Sequence, residues 1–175
     1  MGKLRSELIM NMTHYMQLLA DNQPWNLLIF MAVPVVLAET VAITELYILF
    51  RRAVGGALVA INRTASVLGG FYFVGVFLYL FVNAVVPLTS GAQWRGPADV
   101  IAVGFYLFGV VPLLSMALID LRVIGKSWSH DRRLWWHAGC VALFLVVAHV
   151  AMVFGMLDPT ILWSGDAMSA DHPKH

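Results

Sequence analysis

The sequence predicts an all-α integral membrane protein: a four-helix transmembrane up-and-down bundle with an N-terminal interfacial amphipathic helix. Three observations predict it. Four apolar runs of spanning length follow one another, at residues 26–50, 65–88, 98–121 and 134–157. The 175 residues are 60% hydrophobic and only 12% charged, with a mean hydropathy of +0.78, too little polar surface to cover a soluble globule. The basic residues concentrate in alternate connections, as the loops of a polytopic membrane protein do.

Residues 3–20 form the first element. Leu4, Leu8, Met12, Tyr15 and Leu19 recur at helical spacing, and the stretch is too short and too often interrupted by polar residues to span or to act as a signal peptide. Pro24 and Trp25 then lead the chain into the first span, proline suited to an opening helical turn and tryptophan to the headgroup level. Each apolar run rises roughly 34 to 38 Å, enough for a hydrocarbon core of about 30 Å with modest tilt. Each is expected to be one helix, since lipid satisfies no open strand edge. Pro34 and Pro112 should distort the first and third spans, each freeing a carbonyl one turn earlier. Gly69, Gly70, Gly75, Gly104 and Gly109 are expected to let helices approach closely. Residues 158–175 form a tail, and the whole of 1–175 is read as a single membrane domain.

The loop after the first span carries Arg51, Arg52 and Arg63, and the loop after the third carries Arg122, Lys126, Arg132 and Arg133. The other short loop holds Arg95 and the tail holds Lys174. This bias places both basic loops in the cytoplasm and both termini on the outer, periplasmic side of a bacterial cytoplasmic membrane. The net charge of +1, with no basic stripe, argues against a nucleic-acid partner. The single Cys140 excludes an internal disulfide.

Function must come from the few polar groups inside the spans. Glu39 sits near the middle of the first run, where an ionisable group is costly and marks a functional site by default. In the fourth span His149, Met152 and Met156 share one helical face. Imidazole and thioether suit Cu(I) or a haem b iron. Met10, His14 and Met16 near the N-terminus, and Met168, His172 and His175 in the tail, bring similar donors to the same side. The spacing of His137 and His149 turns their imidazoles different ways, which argues against a pair of stacked haems.

The leading expectation is a polar cavity in the outer half of the bundle, lined by Glu39, Asn83, His149, Met152 and Met156 and closed by the segment carrying His14. It would bind a redox metal, copper before haem b, for metal handling or electron transfer beside a larger membrane complex. A second reading is a proton-coupled carrier using Glu39, acting as a homodimer. A third is an accessory or assembly subunit of a larger complex with no site of its own. Glu45 is expected to snorkel toward Arg51 and Arg52, and His137, beside Trp135 and Trp136, to anchor the interface. The Walker, Rossmann, HExxH, CxxC and serine-elbow patterns are all missing, which leaves no enzyme class favoured.

Overall fold

The computed structural model describes residues 12–52 and 55–159. A short helix α1 (His14–Ala20) precedes four long ones. These are α2 (Trp25–Arg51), α3 (Ala57–Ser90), α4 (Pro97–Asp120) and α5 (His130–Met156), each long and apolar enough to cross a membrane. The chain is a multi-pass, all-helical membrane protein. Consecutive spans pack side by side, α2 on α3, α3 on α4 and α4 on α5, and α5 also touches α2, closing an up-and-down bundle. Of the four, α4 is the most enclosed. Both basic loops lie at one end of this bundle, and α1 lies at the other.

Two spans begin earlier than hydropathy predicts. The third element starts at Ala57 because Asn62 is buried against α2 rather than left in a loop. The last starts at His130, where Ser129 accepts the Arg132 N–H as an N-cap and Asp131 sits in the first turn. Hydropathy cannot register a polar first turn as helix, although capping does.

The prolines act as expected, and the structure shows what the freed groups find. A π-helical turn, Leu28–Ala32, precedes Pro34, because proline supplies no N–H to the carbonyl of Phe30 and the turn widens around the gap. The Tyr106 hydroxyl donates to that Phe30 carbonyl at 2.5 Å, and the Tyr72 hydroxyl to Ile29 O at 2.9 Å. A second π turn, Phe81–Val85, stands before Pro87. At Pro112 the helix is instead interrupted at Gly109.

Small residues set the closest approaches. A Cβ on Gly70 would lie 2.6 Å from the Ala117 Cβ and 2.8 Å from the Leu113 carbonyl, so α3 and α4 pack with no room for a side chain there. A Cβ on Gly155 would lie 2.8 Å from the Tyr15 ring. That glycine lets α1 dock. Thr13, Tyr15 and Leu19 are buried, and the Thr13 hydroxyl both caps α1 and donates to Gly155 O at 2.7 Å. Helix α1 therefore closes one end of the bundle, packing Tyr15 and Leu19 against Phe30, Leu80 and Val103.

Candidate functional site

Near the basic end, the inward stripes of all four spans converge on polar side chains. On α2 the buried positions Ala38, Val41, Glu45 and Ile48 repeat at helical spacing, so Glu45 points where the core residues point. On α5 the stripe is His137, Val141, Phe144, Val147 and Ala151, which makes His137 the polar head of an apolar row. From α3 come Asn62 and Ser66, and Asp120 ends α4.

His137 is only 4% exposed and lies between two carboxylates. Its Nε2 is 3.0 Å from Asp120 Oδ2, a hydrogen bond, and its Nδ1 is 2.9 Å from Glu45 Oε2, an ion-pair contact without hydrogen-bond alignment. Asn62 Nδ2 reaches Glu45 Oε2 at 3.2 Å, the Thr44 hydroxyl at 2.9 Å and the Val41 carbonyl at 3.2 Å. Two oxygens stay unsatisfied in this interior: Glu45 Oε1 and the Ser66 hydroxyl are buried without a hydrogen-bond partner. A buried carboxylate with one free oxygen is costly, and native proteins seldom keep one without use. The donor count is equally informative. A neutral imidazole has one N–H and an imidazolium has two. The Asp120 hydrogen bond places an N–H on Nε2, so a second ring proton would sit on Nδ1, facing Glu45 Oε2, and a neutral ring leaves Nδ1 buried without a hydrogen-bond partner.

The opposite end holds a different His–carboxylate pair. Asp99, at the start of α4 and fully buried, accepts the His14 backbone N–H at 2.7 Å and the Arg95 backbone N–H at 3.3 Å, and its Oδ2 lies 2.5 Å from His14 Nδ1. The Arg95 guanidinium donates to the Met12 carbonyl and to Gln17 Oε1. This cluster fastens α1 to the loop before α4. Beside it, burial pushes the Tyr15 phenol up to about 12.

Residues 10–171 match the model of a family of unknown function, DUF6803. The chain belongs to that family. No curated protein and no solved structure matches it.

In this DUF6803 chain the residues that the sequence singles out fall in two groups. Glu39, Asn83, His149, Met152 and Met156 are all exposed on the outer surface of the bundle, not gathered round an internal cavity. Asn83 Nδ2 donates to its own Tyr79 carbonyl at 2.8 Å, and His149 Nδ1 lies 2.6 Å from Leu145 O, so that nitrogen carries the proton. His14 is engaged by Asp99. Met10, Met168, His172 and His175 lie outside the described residues. Among the described residues no three His, Cys, Asp or Glu side chains are arranged to hold a metal ion.

Glu45 and His137, by contrast, are brought together. Glu45 does not snorkel to the arginines, since it turns into the bundle while Arg51 lies over the Tyr47 ring, 5.6 Å from its centroid. Nor does His137 sit at the interface with its neighbours, for Trp135 and Trp136 are exposed and it is not. Asn62 escapes a hydropathy reading because it precedes the apolar run at 65–88, and Ser66 and Asp120 fall just inside the ends of their runs, where a polar residue is ordinary. The signal for His137 was present in its spacing from Val141 and Phe144.

Proposed function

We propose that this membrane protein binds and releases a proton inside the bilayer, at His137 between Glu45 and Asp120, as the proton site of a proton-coupled carrier. The single observation that carries the reading is the imidazole with a carboxylate oxygen at each nitrogen, buried among four spans. Two arrangements that differ by the place of one proton are then available: an imidazolium between two carboxylates, and a neutral ring beside a protonated carboxyl. The free Glu45 Oε1 offers a further landing place.

Depth gives the relay an order. Asp120, with a side chain 13% exposed, stands at the end of its span, whereas the His137 and Glu45 side chains are each 5% exposed and lie further in. Beyond them Val41, Phe73, Met116 and Phe144 form a buried apolar layer. Such a layer supports access from one side at a time, which a coupled carrier requires. With the basic loops in the cytoplasm, the site loads from the cytoplasmic side of a bacterial cytoplasmic membrane, and the termini face outward.

The test is proton exchange by the full chain in liposomes. A pH step followed by infrared difference spectroscopy should show linked imidazole and carboxyl changes that vanish in His137→Gln and survive in His14→Gln. Dye-loaded vesicles should show pH-gradient-driven flux lost in the same variant. A wild-type difference spectrum without these bands, or one unchanged by His137→Gln, would overturn the proposal and leave the cluster as a structural tie.

A further inference from the structure

Glu39 is a carboxyl that the proton site does not use, and it lies far from either end of its span. It lies about 21 Å along α2 from Trp25 and about 18 Å from Arg51, at mid-bilayer depth, and it is exposed. Several polar side chains on the bundle surface turn back to the carbonyl four residues earlier. Thr40 reaches Val36 O at 2.7 Å, Ser115 reaches Val111 O at 2.7 Å, and Asn83 and His149 do the same. Among the described residues Glu39 has no hydrogen-bond or ion-pair partner.

Its stripe is also ordered. Val36, Glu39, Ile43, Leu46 and Phe50 are exposed and separated alternately by three and four residues, the spacing of a seam between two supercoiled helices. The stripe lies on the side of α2 opposite its buried row of Ala38, Val41, Glu45 and Ile48.

We infer that this stripe is the interface of a homodimer, in which α2 packs against α2 of a second copy and the two Glu39 carboxyls hydrogen-bond each other across the twofold axis. Two copies inserted in the same orientation bring these helices together parallel, so every residue of the seam meets its own counterpart at the same depth. A carboxyl group carries one donor and one further acceptor. It therefore satisfies its own copy, as a buried polar residue does in a coiled-coil seam where it also fixes register. In lipid, where apolar contact alone gives helices little reason to associate, such a hydrogen bond supplies the drive.

The full chain, with Cys140→Ala and one new cysteine, tests this in native membranes. Ile43→Cys should form a disulfide-linked dimer on oxidation, whereas Leu68→Cys, exposed on α3, should not. In lipid, Glu39→Leu should raise the dimer dissociation constant about tenfold, and Glu39→Gln, which keeps a donor and an acceptor, should stay within a few-fold of wild type. Circular dichroism and the thermal transition of the Glu39→Leu protein show that the bundle itself is intact. A monomeric wild type in lipid, cross-linking at Leu68 in place of Ile43, an Ile43 adduct with a different chain, or a dimer indifferent to Glu39→Leu would overturn the inference.

Discussion

Both ends of the bundle pair a histidine with a carboxylate, yet the two pairs are built to different ends. At the α1 end, Asp99 accepts two backbone N–H groups as well as the His14 ring, and Arg95 ties the same cluster to Met12 and Gln17. That carboxylate is fully supplied with donors and joins a peripheral helix to its neighbour. At the basic end, Glu45 keeps one buried oxygen without a partner and His137 is pulled between two carboxylates. A fully satisfied cluster rigidifies what it joins, whereas a partly satisfied one in a low-dielectric interior is costly, and it is this cluster that we propose as the proton site.

The largest expected effect comes from breaking the second cluster. His137→Leu leaves the buried Glu45 and the partly buried Asp120 facing each other without a cation between them. It should lower stability by about 3–5 kcal/mol, seen as a drop in the thermal transition in lipid, with Glu45→Gln recovering part of the loss. If His137→Leu were neutral, the carboxylates would not depend on the ring, and the contrast between the two ends would collapse.

A smaller and more local effect should follow at the other end. Asp99→Ala removes the acceptor for His14 and Arg95 and should cost about 1.5–3 kcal/mol. The loss should appear as faster hydrogen exchange in α1 while the exchange of the four spans stays unchanged. Exchange spreading through α4 would mean that the clamp supports the bundle as well as the helix it fastens.

The effect confined to the narrowest range of conditions is an alkaline one. The Tyr15 phenol is raised from 10.0 to about 12 because folding buries it, so the folded state favours the neutral form. Its contribution is complete below pH 10 and is lost as pH rises through about 12. Docking of α1 should accordingly hold to about pH 10 and weaken above it, followed by phenolate absorbance, with Tyr15→Phe removing the transition.

Much of the fold was legible in the sequence. Four spans, their order, the basic end, the prolines at Pro34 and Pro112 and the close helix contact at Gly70 all follow from local rules about apolar length, charge and backbone geometry. The site was legible only in part. Glu39 and His149 drew attention through their depth in apolar runs, but both face outward, while Glu45 and His137, closer to the helix ends, face inward. Asn62 falls just before its apolar run, where it passes for a loop, and Asp120 at the end of one, where it passes for an ordinary solvated helix end.

The sequence by itself determined that the chain crosses the membrane four times and which residues lie at which depth, because hydrocarbon demands long apolar helices with satisfied backbones. Only the tertiary structure decided how each helix is rotated about its own axis, and hence that Glu45, Asn62, Asp120 and His137 meet while Glu39 is left outside. The physical reason is that lipid and protein core are equally apolar. A span can turn either face to either surroundings with little change in transfer free energy, so its rotation is set by interdigitating side chains and interhelical hydrogen bonds, which form only when neighbouring helices are in place.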